Sequence, residues 1–168
     1  ACSGQEKIDR QALVSRNNPH VTEVNPLHSL NLGNGEFTLT LDATGLQTFP
    51  EFYKDGLSLG TYSEWGWHSF PDTEGYTLEE TLEDHPLPGH PHGIYSVQAG
   101  LTLDARGKAA AEWVRSNPHR MHLGNIGFDG MSPEEITDVD QTLDMWNGVL
   151  HSGFRRNGIP FDVTTVSG

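Results

Sequence analysis

Leu143-Asp144-Met145-Trp146-Asn147-Gly148-Val149-Leu150-His151-Ser152-Gly153-Phe154-Arg155-Arg156-Asn157-Gly158-Ile159-Pro160-Phe161-Asp162-Val163-Thr164-Thr165-Val166 is the stretch whose reading decides the fold class. Asn157-Gly158 is the strongest short-range hairpin signal, because both residues accept the positive φ that tight β-turns demand. The flanking runs, Leu143 to Phe154 and Phe161 to Val166, carry β-branched, aromatic and aliphatic residues that suit a pleated surface. The segment therefore reads as two antiparallel strands. A sheet that stops on a freshly made strand is expected to continue, which points to a missing portion after Gly168.

Upstream, Gly35-Glu36-Phe37-Thr38-Leu39-Thr40-Leu41-Asp42 alternates cleanly, Phe37, Leu39 and Leu41 facing one way and Glu36, Thr38 and Thr40 the other. Leu32-Gly33-Asn34-Gly35 supplies the turn before it. Gly45 to Pro71 is dense in aromatic residues without a clean period and reads as short extended pieces and ordered loops. Pro86, Pro88 and Pro91 exclude a helix from His85 to His92, which reads as an exposed connection, with Ile94 to Val97 a short strand after it. One helix is expected, from about Lys108 to Asn117, where Ala109, Ala110, Trp113 and Val114 share a face and Pro118 ends it. Met121 to Phe128 and Glu135 to Thr142 read as strand-like or irregular. The organisation expected is a polar, loop-like lead segment over residues 1–31 and one mainly β domain over 32–168.

The 168 residues include 23 acidic and 10 basic side chains, a formal charge of −13, and the ten cations are scattered. That excludes a nucleic-acid binder and disfavours an anionic membrane surface, since both need clustered Lys and Arg. Hydrophobic residues at 35% with four Trp, four Tyr and seven Phe are enough for a packed core and argue against wholesale disorder. Nineteen glycines and ten prolines favour a turn-rich β architecture. No apolar run approaches the roughly 20 residues of a membrane helix.

The lone cysteine, Cys2, excludes an internal disulfide and any multi-cysteine zinc site. Ala1-Cys2-Ser3-Gly4 looks like the junction of a bacterial lipoprotein signal, in which the residue after the cut receives lipid. On that reading the protein is exported, held at the periplasmic side or the cell surface, and meets a membrane only through a lipid on Cys2, so that residues 1–31 form a tether. The alternative is an incidental cysteine near a frayed terminus.

Trp65-Gly66-Trp67, preceded by Glu64 and followed by His68, is the densest candidate for ligand chemistry. In a strand both indoles would share a face and offer a platform for the apolar faces of sugar rings, with Glu64 and His68 reaching hydroxyls. The competing reading makes both tryptophans core residues of a β-sandwich, and the residues alone leave the two open. His85, His90 and His92 invite a metal reading, but three prolines in the same stretch favour a solvated loop. His119-Arg120-Met121-His122 is a second cluster, in which Arg120 can hold a carboxylate. Cations that simply follow a helix C-terminus are the plainer account. A glycosidase needs two carboxylates about 5 to 9.5 Å apart, which spacing in sequence does not reveal. The nucleophile elbow, P-loop and dinucleotide motifs are missing, and nothing in the spacing demands a metal or organic cofactor.

Asp9-Arg10-Gln11-Ala12-Leu13-Val14, Asn18-Pro19, Leu32 to Phe37, Thr44-Gly45-Leu46-Gln47-Thr48-Phe49-Pro50, Leu59-Gly60-Thr61, Trp65 to Pro71, Asn117-Pro118-His119-Arg120 with Leu123-Gly124, and Gln141 to Trp146 with Gly148 occur in this order. Together these blocks resemble the N-terminal β-domain of bacterial six-hairpin-glycosidase-like proteins. The resemblance implies a β-supersandwich of the galactose-mutarotase type, preceding an (α/α)6 barrel that carries the catalytic carboxylates. With one helix legible, these 168 residues do not contain such a barrel, so no catalytic residue carries over. Loops of the β-domain line the barrel's mouth in such enzymes, which makes carbohydrate the implied partner of Glu64, Trp65, Trp67, His68, Arg120 and His122. The rival expectation is a free-standing carbohydrate-binding or cell-surface interaction module; a third is a small acid/base enzyme using local carboxylates and His68.

Overall fold

In the computed structural model, which describes residues 7–90, 92–96 and 102–168, the Asn157-Gly158 turn joins two long antiparallel strands, Val149–Arg156 and Ile159–Val166. In chain order the strands are β1 (His20–Val21), β2 (Leu30–Gly33), β3 (Phe37–Leu41), β4 (Thr61–Ser63), β5 (Trp67–His68), β6 (Leu82–Asp84), β7 (Ile94–Ser96), β8 (His119–Arg120), β9 (Ile136–Asp144), β10 (Val149–Arg156) and β11 (Ile159–Val166). The helices are α1 (Arg10–Ser15), α2 (Pro50–Tyr53) and α3 (Ala105–Arg115). The described chain is mainly β, and none of its helices is long and apolar enough to cross a membrane. It falls into two compact units, one within Ala1–Trp65 and His122–Gly168, the other within Gly66–Met121.

The first unit holds a four-stranded sheet, ordered β1-β9-β10-β11, and a three-stranded sheet, ordered β2-β3-β4. Period-two alternation puts Leu32, Leu39 and Leu41 on the inner side of the smaller sheet, where they pack with Leu150 of β10. A second apolar group joins Phe49, Tyr53 and Leu59 to Ile136, Val139 and Phe154, with Phe154 stacked on Phe161 at 5.0 Å. The two sheets thus share one apolar layer, an arrangement compatible with a β-sandwich. Truncating Leu150, which is fully buried, is worth roughly 3 kcal/mol by the behaviour of comparable core leucines.

Several polar groups buried in that layer are hydrogen-bonded, although the Tyr53 hydroxyl and Gln141 Oε1 find no partner among the described residues. The Asp42 carboxylate accepts the backbone N–H groups of Thr44 at 2.8 Å and Phe49 at 2.9 Å, and the Thr44 hydroxyl. Gln141 of β9 donates to the Asp42 carbonyl at 2.7 Å and to the Ser152 hydroxyl at 2.8 Å. Gly45, with φ +78°, packs so closely that a Cβ there would lie 2.6 Å from Ser152 Oγ.

The second unit is built from two small ribbons, β5 with β8 and β6 with β7, and from α3. Asp104 caps α3 by accepting from the Gly107 N–H at 2.7 Å, which starts the helix three residues before the expected Lys108. Gly107 lets the helix close on the turn Glu79–Thr81, since a Cβ would meet the Glu80 carbonyl at 2.8 Å. The nearly buried Glu83 accepts the N–H groups of Thr102 at 2.7 Å and Leu103 at 3.1 Å. A hydrogen bond from the Thr102 side chain, together with those from the two N–H groups, holds its carboxyl below the usual range.

Two expectations need correction. The run Leu143 to Phe154 is not one strand: β9 ends at Asp144, whose carboxylate accepts the N–H groups of Trp146 at 3.0 Å and Asn147 at 3.2 Å, and β10 starts at Val149. An Asx-type turn overrides the apolar character of Met145 and Trp146. Residues 7–31 are not all loop, for they contain α1, capped by Asp9 accepting from Ala12 N at 3.0 Å, together with β1 and β2. The expected strand from Ile94 is present as β7, paired with β6, while Val97 lies outside the described residues.

Candidate functional site

The segment from Glu64 to His68 is not one strand. Glu64, Trp65 and Gly66 form a bend after β4, and only Trp67 and His68 are paired, so alternation along a strand does not govern the two indoles. Both are nevertheless surface residues, Trp65 at 69% and Trp67 at 50% of full exposure. That is incompatible with the core reading, in which a sandwich would enclose them.

Within Gly66–Met121, β5 pairs with β8 so that Trp67 is opposite Arg120 and His68 opposite His119. Directly opposed residues share a face, so Trp67 and Arg120 lie on one side of the ribbon and the two histidines on the other. His68 stacks at 5.0 Å on His119 and meets Phe70 edge-on at 4.7 Å. The Met121 N–H donates to the Gly66 carbonyl at 2.7 Å and extends the ribbon. Arg120 therefore sits on a strand beyond α3, whose last turn is closed by the Ser116 cap, and not on the helix terminus itself.

Within the other unit, exposed Glu64 pairs by its N–H with the Glu36 carbonyl at 2.7 Å. His122 meets Tyr62 of β4 edge-on at 5.5 Å, while Leu123 N–H donates to the Thr61 carbonyl at 2.9 Å. Two of the candidates thus acquire aromatic-ring neighbours, Tyr62 for His122, and Phe70 and His119 for His68. No sequence signal named Tyr62, because residues 45–71 carry no clean period.

His92 Nδ1 lies 2.9 Å from Asp84 Oδ2, and His85 stacks on Tyr95 at 4.4 Å. Among the described residues no three His, Cys, Asp or Glu side chains are grouped to hold a metal ion. Glu80 is hydrogen-bonded by Arg106, which holds its carboxyl below the usual range. Cys2 lies outside the described residues.

Comparison with known proteins adds no relative: no protein-family description matches the chain, and neither a curated protein nor a solved structure matches it.

Proposed function

We propose that this chain is the carbohydrate-associated β-sandwich portion of an exported glycoside-hydrolase-like protein, with a substrate-shaping role and with the catalytic (α/α)6 barrel outside these 168 residues. The finer galactose-mutarotase-like topology, and a lipid on Cys2 as the membrane tether, belong to the same reading. The observation that carries it is the exposure of Trp65, next to Glu64 in the first unit, and of Trp67, opposite Arg120 in the second. Two large indoles left in water are unfavourable unless a partner covers them, and the apolar faces of sugar rings are suited to do so. The carboxylate of Glu64 next to Trp65, and the guanidinium of Arg120 on the face of Trp67, supply acceptors and donors for hydroxyl groups. The formal charge of −13 agrees with a neutral rather than a polyanionic ligand.

A free-standing carbohydrate-binding module is the second reading, favoured because this chain presents both exposed indoles itself. A glycan-array screen of the chain with Trp65→Ala and Trp67→Ala variants tests the shared claim. Sugar binding that weakens in the folded variants supports it. Full affinity in both variants sinks it.

A further inference from the structure

Phe70, Tyr76 and Trp113 line an open groove of about 470 Å³ in the Gly66–Met121 unit, with Glu74, Glu112 and Asn117 beside them. We infer that this groove is a second saccharide site, taking a neutral sugar ring and distinct from the face that carries Trp67 and Arg120.

Its size lies within the roughly 300 to 1,000 Å³ of small-ligand sites. The Tyr76 and Trp113 rings are 6.2 Å apart and inclined at 41°, so they form an angled wall and not a closed stack. Such a wall accepts the C–H face of a pyranose. The wall is held in place: Phe70 N–H donates to Asn117 Oδ1 at 2.7 Å, and Asn117 Nδ2 donates to the Trp113 carbonyl at 2.8 Å. Asn117 thereby fastens the Phe70 segment to the end of α3.

Charge decides between a sugar and an organic cation, the other ligand that aromatic rings and carboxylates attract. The Arg106 guanidinium already stands over Tyr76, 5.2 Å from the ring centre, and donates to the Glu74 carbonyl at 3.2 Å. Arg115 is paired with Glu112. An entering cation would meet both arginines as like charges, whereas hydroxyl groups find as acceptors the Glu112 carboxylate, whose charge Arg115 offsets, and the exposed Glu74 carboxylate. The Trp113 indole N–H is buried and has no acceptor among the described residues, an unfavourable state for a donor. A turn of the indole toward a sugar oxygen would relieve it.

Indole 15N–1H spectra of the chain test this directly, because it has only four tryptophans and Trp113→Phe assigns the relevant signal. The probes are cellotriose, maltotriose, xylotriose and mannotriose. The expected result is a titrating shift of the Trp113 signal with at least one of them, weakened about fivefold in the exposed-site variant Glu74→Ala. A shift confined to the Trp65 or Trp67 signals would overturn the groove and leave the proposed function standing. No shift of any indole signal with any trisaccharide would overturn both.

Discussion

Trp67 stands directly opposite Arg120 in the antiparallel pairing of β5 with β8, so an exposed indole and an exposed guanidinium share one face of a short ribbon. The ribbon needs neither side chain for its own packing. Trp67→Ala is therefore expected to change stability by no more than about 0.5 kcal/mol, and to weaken sugar binding by about tenfold. Thermal melts beside affinity electrophoresis check the two halves together. A large drop in melting temperature would return Trp67 to the core.

Asp42 makes the opposite case, a charged side chain wholly enclosed. Asp42→Ala leaves the N–H groups of Thr44 and Phe49 without their carboxylate acceptor, and should cost about 3 kcal/mol in urea denaturation. Burial pushes its carboxyl above the ordinary 3.8. The folded state then holds the proton longer than the unfolded state, so this group's stabilising contribution is full below pH 3.8 and is lost as pH rises through the raised value. Asp42→Asn should remove that slope from the stability profile.

Tyr53 sets a limit at the alkaline end. Burial, aided by the nearby Asp42 charge, pushes its phenol from 10.0 up to about 12. Below pH 10 both states carry the proton; above it the unfolded chain ionises first, so stability falls as pH rises toward 12. The loss should be about 2 to 3 kcal/mol. Tyr53→Phe should fold and should lack this slope in urea titrations across that window.

Gly45→Ala combines two penalties at one position. A non-glycine residue must adopt φ +78°, and its Cβ must displace the Ser152 hydroxyl, 2.6 Å away. A cost of about 2 kcal/mol or more is expected, read as a lowered denaturation midpoint. A neutral effect would mean that Ser152 turns away freely despite its bond from Gln141.

The parts of this fold that were legible in the sequence are those where local chemistry and burial agree. Asn157-Gly158 forms its hairpin, and Phe37, Leu39 and Leu41 take the inner side of β3, because turn residues and alternation pointed the same way. Residues 145–148 misled because Met145 and Trp146 are apolar yet occupy a turn that Asp144 organises through its own carboxylate. Helix α1 left no amphipathic trace, since none of its residues is buried and its signal is the Asp9 cap alone. For the candidate site, the adjacency of Glu64, Trp65, Trp67 and His68 along the chain was legible. The pairing of His68 with His119 and of His122 with Tyr62 was not, because it depends on strand register between distant segments.

The most direct test of carbohydrate association is affinity electrophoresis of the chain through gels containing soluble polysaccharides, run beside Trp65→Ala, Trp67→Ala and the double variant. Retardation of the parent chain by at least one polysaccharide is expected, reduced in each single variant and reduced further in the double variant, with all four melting alike. Equal mobility of the parent and the double variant in every gel would contradict it.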